Sequence, residues 1–192
     1  MLINRRVALK QLGLITGGVL LLPACARPPK QPTIALKNLV INGDQEALLA
    51  EVSEAIIPAT DIPGAKALEV PNFVLRMVDD CYDADAQKSF VTGLAQFDEE
   101  ARKKIGKSFV DATPEEREGF LKGIEESTKN AGENASQTDL TKFYAIAKER
   151  TVQGFLESKY IMTEVLVHTM IPGRFNGCVE IKDKNDIQTV IG

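Results

Sequence analysis

TVQGFLESKYIMTEVLVHTMIPGRFNGCVEI, residues 151–181, is the stretch that decides the fold of this chain. Its first half predicts the last helix of the protein, because bulky apolar residues are spread along it: Phe155, Tyr160, Val165 and Leu166. That helix is not expected beyond about Met170, because Pro172 lacks an amide proton and Gly173 favours open backbone. The stretch therefore predicts a helix that ends in an irregular C-terminal arm, residues 171–192.

The C-terminal arm is apolar as well as irregular. Apolar side chains stand among its turn residues: Phe175, Cys178, Val179 and Ile181. Such a segment is too apolar to stay in solvent and too irregular to form a core alone. It is therefore expected to lie on its own domain or on another protein, and the sequence leaves both alternatives open.

Upstream of this stretch, the pattern is helical from Asp44 onward. Apolar residues recur at intervals of three and four, and signals for helix starts stand before them: Asp44, Pro71, Asp83 or Asp85, Thr113-Pro114 with Glu116, and Asp139. No alternating strand pattern of useful length occurs. The sequence predicts an all-α domain over residues 44–192, a compact bundle of five or six helices.

Three segments between the apolar stripes differ in character. Residues 58–66, PATDIPGAK, contain two prolines and a glycine, which predicts an ordered loop after the first helix. Residues 128–138 are the most loop-like interior stretch. The charged run at residues 98–104 is interpreted as a solvated helix face.

The composition limits the classes of protein to which this chain can belong. The 192 residues, 44% hydrophobic and 26% charged, fit one globular domain with tails. Removal of residues 1–24 leaves 20 of the 23 basic residues against 27 acidic ones, a formal charge of −7. That balance argues against nucleic acid as a partner, because binding to phosphates requires a positive surface.

Residues 1–26 have the pattern of an export signal. Arg5 and Arg6 precede a moderately apolar stretch, residues 12–22, which is too short for a comfortable membrane span. The run NRRVALK, residues 4–10, resembles the twin-arginine export signal, with ordinary Sec export as the alternative.

The end of this segment allows more than one outcome. Residues 22–25, LPAC, resemble a bacterial lipobox, in which Cys25 becomes the lipidated first residue of the mature chain. Residues 24–26 also form an A-x-A cleavage site that would release the protein, and retention as an uncleaved anchor is a third outcome. Lipidation is the outcome we expect, with residues 27–43 as a proline-rich tether.

The search for catalytic motifs is mostly negative. His168 is the one histidine, and it is interpreted as a helix-terminal or packing residue. No metal-ligand spacing, haem-attachment motif, nucleotide-binding glycine loop or serine nucleophile elbow occurs. Asp79 and Asp80 are adjacent, so on a helix they point in different directions, and both are interpreted as solvated acids.

Several of these segments together resemble the gluconate 2-dehydrogenase subunit 3 family. They are IIPATDIPGAKALEVP at residues 56–71, Phe73, DDCY at residues 79–82, GFLES at residues 154–158 and PGRFNGC at residues 172–178. Phe155-Leu156 depart from the aromatic pair that is common there. The resemblance implies a non-catalytic small subunit that carries the export signal for a large subunit binding FAD. It also implies periplasmic or membrane-bound sugar or sugar-acid oxidation, often with electrons passed to a cytochrome c haem.

The lack of catalytic motifs agrees with an accessory role, so this chain itself is expected to hold no cofactor, metal or catalytic residue. We expect it on the periplasmic side of the bacterial envelope, lipid-anchored. A self-standing envelope lipoprotein with a binding or scaffolding role is the alternative, and an enzyme with an unrecognised site is another. The substrate and the stoichiometry do not follow from the sequence.

Two further expectations concern surfaces and thiols. The 58–66 loop and the C-terminal arm are expected to form or brace the partner surface, with self-packing as the alternative; the residues are Pro63, Gly64, Pro172, Gly173, Phe175 and Cys178. Cys81 and Cys178 survive processing in an oxidising compartment. They are expected to form an internal bridge, a bond from Cys178 to the large subunit, or two inert buried thiols.

Overall fold

The computed structural model describes residues 30–131, 138–166, 178 and 180. The chain divides after Gln31, and the helical domain begins at Pro32. The described residues form no strand, which confirms the all-α class, and their elements follow in this order: α1 (Gly43–Ile56), α2 (Val70–Cys81), α3 (Ala84–Ile105), a 3-10 turn (Phe109–Asp111), α4 (Pro114–Ala131), α5 (Asp139–Leu156) and a π-helical turn (Ile161–Val165).

Helix starts follow the local capping chemistry. The Asn42 side chain caps α1 by accepting from the amides of Asp44 and Gln45, and the Gln45 side chain accepts from the Asn42 amide. The predicted cap, Asp44, therefore lies in the first turn instead, where its charge favours the positive end of the helix. The predicted capping box of α4 is present, because Thr113 and Glu116 bond to each other's amides.

The core is built around α5, which packs against α1, α2 and α3. Five phenylalanines fill its centre in mostly edge-to-face contact: Phe90, Phe97, Phe109, Phe120 and Phe143. Rings arranged in this way gain a small extra attraction beyond the area they bury. The apolar stripes read from the sequence therefore face one another, as amphipathic helices require.

The chain after α5 differs from the predicted continuous helix. α5 ends at Leu156, and the amide of Ser158 donates back to the carbonyl of Phe155 at 3.2 Å, which tightens the turn. The Ser158 hydroxyl then accepts from the amide of Ile161 at 3.4 Å, so a side chain starts a new turn where a helix would continue. This break turns Ile161 into the core, where it is 2% exposed.

The segment before α1 is part of the domain over much of its length. Residues 27–43 are a tether in the sequence prediction, but Ile34, Leu39 and Ile41 are buried in the core. Residues 33–42 form a second arm, distinct from the C-terminal one, which we call simply the arm. Asp79 near the end of α2 holds the arm in place, since its carboxylate accepts from three consecutive backbone amides. The hydrogen bonds to these amides stabilise the docked segment by more than the conformational entropy that an open tether would keep.

Candidate partner-docking surface

The 58–66 loop is ordered by hydrogen bonds between its own ends. The amide of Ala65 donates to the carbonyl of Ile57 at 2.9 Å, and the amide of Thr60 donates to the carbonyl of Ile62 at 3.0 Å. The tip, residues 58–61, is exposed, whereas Pro63 is half-buried. The loop is therefore ordered, as the sequence predicted, and it presents its proline-containing tip to solvent.

Glu54 on α1 closes the loop from beneath. Its carboxylate accepts from the amide of Ala59 at 3.1 Å and from the amide of Lys66 at 2.9 Å. Gly64 is buried beside it, and a Cβ atom there would lie 2.5 Å from Glu54 Oε1 and 2.6 Å from the Ala59 nitrogen. The glycine of the loop is thus required by the close approach of the Ala59 backbone and of this carboxylate.

Glu51, one turn earlier on α1, joins the loop to α4. It pairs with Lys66 Nζ at 2.5 Å and with an Arg117 guanidinium nitrogen at 2.6 Å. Burial alone would raise the pKa of Glu51, but the hydrogen bonds from Lys66 and Arg117 outweigh it and lower that pKa below its ordinary value. Arg117 also donates to the carbonyls of Phe109 and Val110. Three elements are therefore fixed relative to one another around one carboxylate.

A groove of about 700 Å³ runs between the loop, α1, α4 and α5. Apolar groups of α1, the loop, α4 and α5 line it together with charged side chains. The apolar lining is Ala55, Ile56, Pro58, Ala59, Pro114 and Leu121, with the Tyr144 ring, and the charged lining is Glu54, Glu115, Arg117, Glu118, Lys122, Glu125 and Lys148. We call this the α1–α4 groove.

The charges of the α1–α4 groove are unequally compensated. Lys122 pairs with Glu118 and Lys148 pairs with Glu125, both at 2.5 Å. Glu54 has only backbone donors. Across the part of the chain that the structure describes, no cation pairs with Glu115. The uncompensated charge of the groove is therefore negative.

Of the other predicted site residues, the structure describes only the two cysteines. Cys81 and Cys178 carry free thiols and are both exposed, so the alternative of two buried thiols does not fit, and no disulfide joins them in the structure. A bond from Cys178 to a large subunit stays a prediction. The remaining predicted residues lie outside the described residues: Arg5, Arg6, Cys25, Pro172, Gly173 and Phe175, together with His168.

Two carboxylates that organise these surfaces were not identified from the sequence. Glu54 carries no motif, and its two amide partners lie five and twelve residues away along the chain. The interpretation of Asp79 as a solvated acid is wrong, because its side chain is buried and only 3% exposed. Its position in the DDCY motif was the available signal, and its neighbour Asp80 is exposed as expected.

The described ranges contain neither a candidate metal site nor a candidate membrane-spanning helix. No group of three or more His, Cys, Asp or Glu side chains is arranged to hold a metal ion in residues 30–131 and 138–166. Over the same ranges, no helix is both long enough and apolar enough to cross a bilayer.

Comparison with known proteins identifies the family of this chain. The family model described as gluconate 2-dehydrogenase subunit 3 matches residues 43–173, which begin at the first residue of α1 and include the five α-helices that the structure describes. Neither a curated protein nor a solved structure matches the chain significantly.

Proposed function

We propose, because this chain belongs to the gluconate 2-dehydrogenase subunit 3 family, that it is the non-catalytic small subunit of a flavin-dependent sugar or sugar-acid dehydrogenase. In this proposal it binds the FAD-containing large subunit, stabilises it and escorts it through twin-arginine export. The family match over all five helices is the observation that carries the proposal, since the family is a subunit of a dehydrogenase complex.

The loop and groove supply a surface suited to such a role. The loop tip is exposed, yet its backbone is already held by Glu54 and by its own hydrogen bonds. A surface that is ordered before binding loses little conformational entropy when a partner docks. The 58–66 loop is therefore the part of the described surface that we assign to the large subunit.

The order of events follows from the export route. The twin-arginine route accepts folded cargo, so a large subunit that acquires FAD in the cytoplasm needs a docked partner that bears the signal. Arg5 and Arg6 are that signal in this proposal, and docking precedes export. The large subunit selects the sugar and passes its electrons on, to a cytochrome c where the complex has one.

The test is to change Arg5 and Arg6 together to Lys in cells that also express the large subunit. The charge is kept but the guanidinium pair is lost, so we expect an intact cytoplasmic complex, with both chains and the dehydrogenase activity absent from the periplasm. Lys10→Arg is the matched control, because it changes a basic residue of the same segment and should leave export unaffected.

Export of the large subunit in full amount from the double variant, or from cells that lack this chain, would show that it needs no escort. The envelope-lipoprotein alternative would then replace the proposal.

A further inference from the structure

The α1–α4 groove has the shape and charge of a binding site for a polypeptide segment. We propose that it receives a segment of the large subunit that carries a basic side chain beside an apolar one. This inference rests on the proposed function, because the large subunit is the partner, and it adds where that partner binds and which chemistry it presents.

The lining of the groove supplies the first argument. Its apolar groups come from four different elements, and charged side chains line it as well. Protein interfaces commonly combine apolar and polar groups in this way. The volume of about 700 Å³ holds a few side chains, so the groove suits a short segment of a partner.

The charges supply the second argument. Each cation of the groove already has an acidic partner: Arg117 shares Glu51 with Lys66, Lys122 pairs with Glu118, and Lys148 pairs with Glu125. The lining holds four carboxylates and three cations, a formal charge of −1. The carboxylates without a cation are Glu54, bound only by amides, and Glu115 at the start of α4. A docked segment that covered them without a positive charge would leave carboxylates desolvated and unpaired, which is costly. The complementary segment is therefore basic.

The wall of the groove is already ordered in the free chain. Ala59 faces the groove while its amide is held by Glu54, and Gly64 lets that carboxylate approach. A binding wall that needs no rearrangement favours a partner that docks as a folded subunit.

One competing occupant belongs to the same chain. Residues 167–192 contain Arg174 and Phe175, a basic residue beside an aromatic one. Occupancy by this segment would make the groove part of the fold of the free chain. If the large subunit fills the groove, the stability of the free chain should not depend on the charges that line it. This difference in stability distinguishes the two occupants.

The test compares Glu115→Lys with Glu126→Lys. Both acids are exposed on α4, but Glu126 does not line the groove. We expect Glu115→Lys to weaken the affinity for the purified large subunit roughly tenfold, because it places a cation against the basic segment. Glu126→Lys should change it less than about twofold. The affinity of the unchanged complex should also fall as salt is raised, and less steeply for Glu115→Lys.

A second variant, Ala59→Trp, fills the groove without a change of charge. It should also weaken binding roughly tenfold while the melting temperature of the free chain stays within about 2 °C of the original. If both variants bound the large subunit normally, the assignment of the groove would be wrong and the proposed function would be unaffected. If the unchanged chain did not bind the large subunit, the proposed function itself would be wrong.

Loss of thermal stability decides between the occupants. If Ala59→Trp and Phe175→Asp each lowered the melting temperature of the free chain, and their effects were not additive, the chain's own C-terminal residues would fill the groove. A monomer-to-dimer change in Ala59→Trp would assign it to a second copy. Either result would overturn the proposal.

Discussion

Asp79 illustrates how one buried charge can fix a segment that is distant in sequence. Its two carboxylate oxygens accept from the amides of Lys37, Asn38 and Leu39 at 2.6–2.8 Å, and the Asn38 side chain donates to the Asp79 carbonyl at 2.9 Å. Burial alone would raise the pKa of Asp79, but these amides together outweigh it, and that pKa lies below the ordinary 3.8. The charged form is thus the form that holds the arm.

Replacing Asp79 by Asn is expected to lower the free energy of unfolding by about 2 kcal/mol near neutral pH. The amide side chain keeps one acceptor but turns a donor toward backbone donors. Asp80→Asn is the matched control, because Asp80 makes only an exposed contact with Lys37 at 3.4 Å and should cost less than about 1 kcal/mol. Urea unfolding at pH 7 measures both, and equal losses would contradict the assignment.

The same carboxylate predicts a pH dependence. Because the folded-state pKa of Asp79 is lowered, its contribution to stability is present above 3.8 and is lost as pH falls through the folded-state value. The stability difference between the original chain and Asp79→Asn should therefore be constant from pH 7 to about 5 and shrink below about 4. Urea unfolding at stepped pH measures it, and a difference that grew toward acid would contradict the sign.

Residues were predictable from the sequence where their partners are near along the chain. Thr113 and Glu116 are three residues apart, so their capping box could be recognised from the sequence alone. Asp79 bonds to amides about forty residues away, and no local pattern reports such a pairing. Glu54 was missed for the same reason, although its loop was predicted.

At the scale of helices, two glycines set the distance of α5 from its neighbours. A Cβ atom at Gly93 of α3 would overlap the Asp139 carbonyl oxygen and lie 2.5 Å from the Cβ of Phe143. At Gly154 of α5, a Cβ would lie 2.5 Å from the Phe73 ring. A Cβ at Gly93 would meet backbone atoms, which shift less easily than the Phe73 side chain. Replacement of Gly93 should therefore be tolerated less well than replacement of Gly154.

Gly93→Ala is therefore expected to lower the free energy of unfolding by about 1 to 3 kcal/mol, because α3 and α5 would have to separate. Gly119→Ala on α4 is the control, since a Cβ there meets nothing within 4 Å. Alanine favours the helix by about 1 kcal/mol over glycine, so this control should raise stability slightly. Thermal and urea unfolding measure both variants, and a loss in the control equal to that of Gly93→Ala would contradict the packing argument.

Helices that bury one apolar stripe were predicted well, and the segments around them were not. The stripes of α3 and α4 show Phe90, Phe97 and Phe120 at helical spacing, and all three are buried. Phe109 is fully buried in a 3-10 turn, where three residues give no period to detect. The segment of residues 33–42 was missed for a different reason. Pro28, Pro29 and Pro32, which precede it, made the whole of residues 27–43 resemble a linker.

At the scale of the whole domain, the arm and the 58–66 loop lie at opposite ends of one helix. The arm bonds to Asp79 near the end of α2, and the loop leads into its first residue, Val70. Twelve residues of α-helix separate these ends by roughly 18 Å at 1.5 Å per residue. A partner that contacts only the loop would therefore bind about one helix length away from residues 33–42, through which the chain reaches its N-terminal segment.

Lipidation of Cys25 would attach the mature protein to a membrane. If Cys25 is lipidated, its acyl chains bury methylenes worth about 0.8 kcal/mol each in the bilayer, and the complex should sediment with membranes. Cys25→Ser removes the acceptor sulfur, so both chains should move to the soluble periplasmic fraction while the complex and its activity stay intact. Fractionation before and after detergent treatment, with activity assays, measures this.

Cys81→Ser is the control for that experiment, because Cys81 is an exposed thiol on the folded domain and its loss should leave the protein on the membrane. Salt washing of the original complex should not release it, since attachment by buried methylenes does not depend on screening. If Cys25→Ser stayed membrane-bound, the uncleaved apolar stretch at residues 12–22 or another subunit would hold the complex there. If the original protein were already soluble, cleavage at residues 24–26 would be the correct processing event, because a mature chain without Cys25 has no lipid to bury.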